Sequence, residues 1–131
     1  MTNLTAIRRS IAVLAVSALA LAGLGGAAAS AAGPAPTKVQ IVAESGGFFG
    51  FVKSPSLECK SERTIVLYQQ LGAKQRPATD QQVGMDTAQA NGDGYEWNMG
   101  NPGLRSGRYY ARAVRTPTCK AANSVTLRAQ Q

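Results

Sequence analysis

Short stretches in which apolar and polar side chains alternate recur along most of this chain, and they predict β-strands. In SVTLRA, Val125 and Leu127 fall on one face of an extended chain, and Thr126 and Arg128 fall on the other. No window of helical length keeps an apolar period of about 3.6 residues. Turn-forming residues separate the predicted strands, which lie at residues 38–43, 48–54, 64–70, 82–89, 95–99, 108–115 and 124–129. This spacing predicts an all-β fold, a single antiparallel seven-stranded β-sandwich.

The N-terminal residues have the three-part pattern of a secretory signal peptide. Arg8 and Arg9 precede an apolar run at residues 11–24, and small residues follow up to Ala31. The run falls short of the roughly 20 strongly apolar residues that a membrane span needs. We therefore predict a signal peptide at 1–31 that is cleaved near Ala31, a short linker at 32–37 and a β-sandwich domain at 38–131. The protein is expected to be secreted and extracellular, with no membrane span.

Charge and cysteine content add two constraints. Removal of residues 1–31 takes away Arg8 and Arg9, which leaves 12 basic residues against 7 acidic ones. Cys59 and Cys119 are the only cysteines, and an even count in an exported chain predicts a disulfide. Closing a loop of about 60 residues stabilises the fold by about 4 kcal/mol in the chain-entropy model. A catalytic thiol or a metal ligand is the alternative, but the chain has no histidine to act as base or co-ligand. No cofactor or metal is expected.

The stretch ANGDGYEW, residues 90–97, offers oxygen atoms that could bind calcium. The spacing of an EF-hand loop fails whether the loop begins at Asn91 or at Asp86, because the required oxygen ligands and glycine do not fall in place. A less regular calcium site that uses Asn91 and Asp93, with Asp80 or Asp86 as a further ligand, stays open. The other interpretation is the turn of a β-hairpin.

The face of each side chain sharpens the hairpin interpretation. Residues that lie opposite each other in a hairpin have side chains on the same side of the sheet. The apolar side chains before and after the loop therefore lie together only if the residue numbers of two opposite partners sum to an even value. This condition excludes a two-residue turn and predicts a loop of three residues (92–94) or five (90–94). The apolar atoms fall on odd positions on both sides of the loop, at Val83, Met85, Thr87, Tyr95, Trp97 and Met99.

Several stretches resemble a known family when they are taken together. VGMDTAQANGDGYEWNM and GRYYARAV are similar to the prealbumin-like sandwiches, which include transthyretin-like and carboxypeptidase-regulatory-like domains. FGFVKS, ECKSERTIVLYQ and CKAANSVTL extend the resemblance over residues 48–127 to a small secreted bacterial subgroup with the same two cysteines. The resemblance implies that the seven-stranded sandwich is of prealbumin-like or immunoglobulin-like type and that it is a non-catalytic accessory or recognition module. The activity of the family's hydrolytic branch depends on histidines and does not carry over, since this chain has none.

The stretch GGFFGFVKS contains two candidate binding residues. Phe48, Gly50 and Val52 share one face of the predicted strand, and Phe49 and Phe51 share the other. If the first face packs in the core, Phe49 and Phe51 point outward, and neighbouring exposed aromatic residues mark interaction surfaces. The alternative is that both faces are covered.

The stretch RYYARAVR contains two more candidates, Tyr110 and Arg112, which share a strand face with Arg108. A basic face with an aromatic ring suits an acidic polymer, a carboxylated glycan or an acidic patch on another protein. Nucleic acid is not expected, because no nucleic-acid motif is present. The alternative is an ordinary solvated sheet face.

The leading function hypothesis is a secreted, non-catalytic interaction module. It contacts an extracellular protein or an acidic or glycan polymer of the envelope through Phe49, Phe51, Tyr110 and Arg112. The alternative is a secreted hydrolase or protease-inhibitor-like protein that acts through the loops at 55–63 and 100–107, and self-assembly is a third class. An enzyme is not expected, because the seven acidic residues are scattered and no histidine is present.

Overall fold

A computed structural model describes residues 33–101, 103 and 106–130, so the predicted signal peptide lies outside the described residues. The described chain forms ten short strands and one 3₁₀ turn, Leu57–Cys59. No helix in these ranges is long and apolar enough to cross a membrane. The strands are β1 (Lys38–Val39), β2 (Val42–Glu44), β3 (Gly47–Lys53), β4 (Thr64–Gln69), β5 (Gln81–Thr87), β6 (Gln89–Asn91), β7 (Gly94–Gly100), β8 (Gly107–Ala113), β9 (Ala122–Asn123) and β10 (Leu127–Ala129).

The strands form two five-stranded sheets whose named strand pairs are all antiparallel. In the first sheet, β1 and β2 both pair with β3, which pairs with β7, and β7 pairs with β6. In the second sheet, β9 and β10 both pair with β8, followed by β4 and β5. The all-β class and the two-sheet antiparallel sandwich are therefore confirmed. The ten strands of the described chain replace the seven that the alternation predicts, chiefly because the predicted strands 38–43 and 82–89 each divide in two.

The core lies between the inner faces of the two sheets. Phe48 of the first sheet contacts Tyr109 of the second, with ring centroids 4.9 Å apart. Trp97 is fully buried, and its Nε1 donates to the carbonyl of Gln40 at 3.1 Å. Gly50 permits this arrangement, since a Cβ at that position would lie 2.0 Å from the Gln40 oxygen. The buried cluster contains Val39, Ile41, Phe48, Val52, Ile65, Leu67, Ala88, Trp97, Tyr109, Ala111 and Ala113.

The chain crosses from the second sheet to the first at Ala88. This residue is fully buried, and its N–H donates to the Arg63 carbonyl at 2.9 Å while its own carbonyl accepts from Glu62 at 2.8 Å. These bonds interrupt the predicted strand 82–89 and separate β5 from β6. Just before the crossing, Asp86 Oδ2 accepts from the backbone N–H of Asn98 at 2.7 Å, which links an edge strand of the second sheet to β7.

The crossing overturns the prediction of an odd-length hairpin loop. The partner of β7 is the short β6, and Asn91 faces Gly94 across a two-residue turn formed by Gly92 and Asp93. Gly92 has φ +57°, in keeping with turns that have glycine at the first central position. An odd-length loop was expected on the condition that residues 83–87 pair with β7, whereas they pair with β4 in the other sheet.

The predicted side-chain orientations are correct after the loop and correct only in part before it. Tyr95, Trp97 and Met99 contact the core as expected. Before the loop, Val83 also packs against the core, whereas Met85 lies opposite Val66 on the outer face and stays 61% exposed. A register shift between Leu67 and its neighbour Tyr68 breaks the alternation that the prediction required.

The predicted disulfide between Cys59 and Cys119 is present, with both residues buried and their Cα atoms 5.5 Å apart. Arg63 lies beside it, 2% exposed, and donates to three backbone carbonyls: Val114, Cys59 and Lys120. Burial lowers the pKa of Arg63. The bridge and this guanidinium together bind the loop before β4 to the segment after β8.

Residues 33–37, expected to belong to a linker, pack against the sandwich instead. Ala35 forms a parallel bridge with Cys119, in which its N–H donates to Thr118 at 2.8 Å and its carbonyl accepts from Lys120 at 2.9 Å. Ser54 Oγ donates to the Pro36 carbonyl at 2.7 Å. Pro34 and Pro36 have no backbone N–H to donate. They still permit this packing, because the bridge to Cys119 uses only the N–H and the carbonyl of Ala35, which lies between them.

Candidate functional site

The outer surface of the first sheet is the candidate site, and we call it the aromatic face. It consists of Val42, Phe49, Phe51, Glu96 and Asn98. Phe49 lies directly across from Val42 on one side and from Asn98 on the other, and Phe51 lies across from Glu96. Because paired residues of adjacent strands share a face, these five side chains form one surface.

The burial along β3 decides between the two alternatives left open for this strand. Phe48, Gly50 and Val52 are buried, whereas Phe49 and Phe51 are partly exposed. Lys53 continues the outer row and is exposed. The strand therefore presents two neighbouring aromatic rings to solvent, although neither ring is fully exposed.

Two shallow depressions lie beside the two rings. Phe49 lines one of about 230 Å³ together with Glu44, Glu96 and Asn98. The second, of about 200 Å³, is lined by Phe51 and by Lys53, Lys60, Asp93 and Tyr95 among others. The aromatic face thus combines apolar rings with carboxylate, amide and ammonium groups, which supply both hydrogen-bond donors and acceptors.

The β6–β7 hairpin supports the aromatic face. The ring of Phe51 lies close to Gly94, where a Cβ would be only 3.0 Å from its Cδ1 atom. Asn91 Nδ2 donates a hydrogen bond to Glu96 Oε2, so the amide that a calcium site would need is held by a carboxylate of the same face. The stretch 90–97 therefore shapes one end of the candidate site.

The outer face of the second sheet is different, because the chain covers the part of it around Tyr110 with its own loop. Residues 70–80, which we call the covering loop, connect β4 to β5. Tyr110, predicted as a contact residue, is fully buried and stacks on Tyr68 with ring centroids 5.3 Å apart. The prediction that Tyr110 contacts a partner is corrected, since no surface of its side chain reaches solvent.

Asp80 fastens the covering loop to the sheet. Its carboxylate accepts hydrogen bonds from Tyr110 Oη at 2.8 Å, from the N–H of Leu71 at 3.0 Å and from the N–H of Arg76 at 2.6 Å. Desolvation on its own would raise the pKa of Asp80, but these hydrogen bonds and the charge of Arg76 outweigh it and lower the pKa. Burial and the bond to Asp80 raise the pKa of Tyr110.

Gln75 makes a second attachment between the covering loop and the sheet. Its Nε2 donates to the Ser124 carbonyl at 2.9 Å and to Thr126 Oγ1 at 2.8 Å, and its Oε1 accepts from Asn123 at 2.9 Å. Arg112, the other candidate on this face, donates to Asn123 Oδ1 at 2.7 Å and is partly buried. The guanidinium of Arg112 therefore belongs to a hydrogen-bond network with Asn123 and Gln75 at the protein surface.

The loops proposed for a hydrolase or an inhibitor are only partly described. The loop at 55–63 contains the 3₁₀ turn and Cys59, with Glu58 and Glu62 both exposed. In the loop at 100–107, residues 102, 104 and 105 lie outside the described residues. Within the described ranges, one cluster of potential metal-ligating side chains occurs, Glu58 with Cys59 and Cys119, and the disulfide occupies both sulfur atoms.

Sequence reasoning missed the residues that decide which face is covered. Asp80 and Gln75 lie between the predicted strands 64–70 and 82–89, and their partners on the sheet are 30 to 51 residues away in sequence. The loop's length and its aspartate were the only available signals, and neither indicates which face it covers.

These features define the class of the protein, a two-sheet antiparallel β-sandwich with one disulfide. Comparisons with protein-family models, with curated proteins and with solved structures found no significant match to the chain. The prealbumin-like resemblance therefore stays a prediction.

Proposed function

We propose that the protein is an extracellular, non-catalytic interaction module that binds an envelope glycan through its aromatic face. The observation that carries the proposal is the contrast between the two outer faces. The covering loop buries the aromatic ring of Tyr110 on the second sheet, whereas Phe49 and Phe51 stay partly exposed on the first. Exposed apolar groups with polar neighbours mark interaction surfaces in soluble proteins.

The chemistry of the aromatic face supports a glycan as the partner. Sugar rings have apolar C–H surfaces that pack on aromatic rings, and hydroxyl groups that pair with carboxylates and amides. Phe49 and Phe51 supply the rings, and Glu96 and Asn98 supply polar groups directly beside them. A sheet face also presents these groups on a rigid surface, which lowers the entropic cost of binding.

An extracellular location is supported by two independent features. The disulfide between Cys59 and Cys119 is the kind of bond that persists in oxidising compartments. The N-terminal pattern is that of a signal peptide cleaved near Ala31. The module would therefore act outside the cell that produces it.

The sheet order supports the immunoglobulin-like form of the predicted fold class. If β1 with β2 and β9 with β10 each count as one interrupted strand, the first sheet has the order A-B-E-D. The second sheet then has the order G-F-C with one added strand beside C. Many cell-surface domains share this architecture, but the function rests on the aromatic face and not on the fold.

Binding to envelope polysaccharide tests the proposal. The double variant F49S/F51S should lose most of its binding to insoluble envelope polysaccharide, measured by co-sedimentation. The matched control V125S removes an apolar side chain that is 74% exposed elsewhere and should bind like the unsubstituted protein. Fluorescence of Trp97, the single tryptophan and a buried one, reports whether each variant is folded.

Three results would count against the proposal. Undiminished binding by folded F49S/F51S would show that the aromatic face is not the binding surface. Binding that disappears when the envelope is treated with protease would indicate a protein partner instead of a glycan. Loss of binding in EDTA would show that a metal ion takes part.

A further inference from the structure

Two arginines lie directly opposite each other on the second sheet. Arg108 of β8 and Arg128 of β10 are cross-strand partners on its outer face. Like charges in this position destabilise a sheet pair, because the side chains lie only about 5 Å apart at Cβ. Among the described residues, no carboxylate forms an ion pair with either guanidinium. The pair therefore concentrates positive charge that the described chain does not neutralise.

The guanidinium of Arg108 is held in place by its neighbours. It donates from Nη2 to the Gly72 carbonyl at 2.7 Å, and the same carbonyl accepts from Gln70 Nε2 at 2.9 Å. Gln70 Oε1 in turn accepts from Thr126 Oγ1 at 2.6 Å. One of the five N–H donors of Arg108 is thus used to orient the group, and donors remain for an anion.

Two depressions with shared walls open beside this pair. The first, of about 500 Å³, is lined by Gln70, Arg108 and Arg128, and the second, of about 520 Å³, by Gln70, Arg108 and Lys74. No acidic residue lines either of them within the described chain. Glu44 lies beyond Arg128, in a separate depression that shares this arginine. Arg128, Arg108 and Lys74 therefore form a basic groove beside the second sheet, whereas the aromatic face lies on the first.

We propose that this basic groove binds an acidic polysaccharide through its carboxylate groups. The planar guanidinium forms paired hydrogen bonds with a carboxylate, and it does so best when already oriented, as Arg108 is. Two joined depressions with three cationic groups accommodate successive charged sugar units. Base stacking of a nucleic acid has no support here, because no aromatic ring lines either depression. The groove and the aromatic face are independent, so either proposal stands without the other.

Titration calorimetry at low ionic strength tests the groove, with polygalacturonate as the carboxylated probe. The control ligand is the fully methyl-esterified polymer, which keeps the sugar backbone and removes the charge. R128Q should bind polygalacturonate about tenfold more weakly, as expected for the loss of a charged hydrogen-bonding group. R128K keeps the charge without the paired donors, and its affinity should lie between that of R128Q and that of the unsubstituted protein. R115Q removes an exposed charge outside the groove and should bind like the unsubstituted protein.

Several outcomes would overturn the proposal. Undiminished binding by R128Q would exclude Arg128 from the site, and an equal loss in R115Q would show that only overall charge matters. Equal binding of the methyl-esterified polymer would show that carboxylates are not recognised. Absence of binding to polygalacturonate would also overturn it, and binding of polyphosphate alone would indicate a phosphate site instead. F49S/F51S should bind polygalacturonate normally, which separates this test from that of the aromatic face.

Discussion

The hydroxyl of Tyr110 donates a hydrogen bond of 2.8 Å to Asp80 Oδ2, and this contact joins the covering loop to the second sheet. Asp80 also accepts two backbone N–H groups from its own loop, so a single carboxylate both shapes the loop and attaches it. The result is that the chain itself covers the part of this sheet face around Tyr110, which is fully buried. The aromatic face on the other side has no equivalent attachment among the described residues.

Removal of the Tyr110 hydroxyl should weaken the attachment of the covering loop. Y110F keeps the ring stacked on Tyr68 but loses a hydrogen bond to a charged group, so we expect the free energy of unfolding to fall by about 1 to 2 kcal/mol. Urea denaturation followed by Trp97 fluorescence measures this loss. Y68F is the matched control and should be nearly neutral, because no described residue bonds to the Tyr68 hydroxyl. Equal losses in the two variants would contradict the role given to Asp80.

The stabilising effect of Asp80 should depend on pH. Its pKa in the folded protein lies below the ordinary value of 3.8, so folding favours the ionised carboxylate. Its contribution is therefore fully present above about pH 4 and is lost as the pH falls through the folded-state pKa. We expect the stability difference between the unsubstituted protein and D80N to be large at neutral pH and to shrink in strong acid. A difference that is constant with pH, in urea titrations at fixed ionic strength, would show that the charge of Asp80 has no role.

Loss of the disulfide should be costly. C59A/C119A releases a constraint between residues 60 positions apart, and we expect the free energy of unfolding to fall by about 2 to 4 kcal/mol. Reductant should destabilise the unsubstituted protein by a similar amount and leave the double variant unchanged. Identical stability with and without reductant, once thiol titration shows full reduction, would refute the prediction.

The turn at Gly92 should tolerate few side chains. At φ +57° a β-branched residue is strained, so G92V should lower the free energy of unfolding by about 1 to 2 kcal/mol. G92N should cost less, since asparagine tolerates this conformation. G46A is the matched control, because nothing lies within 4 Å of the Cβ it introduces and Gly46 does not have positive φ. Thermal unfolding of the three variants checks the order, and a G92V variant as stable as G46A would contradict it.

Alternation along the chain predicted one half of the candidate site correctly. It placed Phe48 with Val52 on one face and Phe49 with Phe51 on the other, because successive side chains of a strand point to opposite sides, and the structure shows that the first pair lies in the core. The same reasoning failed at Tyr110. Alternation shows which residues share a face, but it does not show whether a distant loop covers that face.

The sequence by itself determined the class of this protein. Short alternating stretches between turn residues define an all-β sandwich, and two cysteines permit a single disulfide. The tertiary structure alone decided that the chain changes sheets at Ala88 and that the covering loop closes over Tyr110. Strand periodicity is a local property of the extended backbone, whereas sheet membership and burial depend on hydrogen bonds between residues far apart in the chain. Asp80 and Tyr110, 30 positions apart, are one such pair.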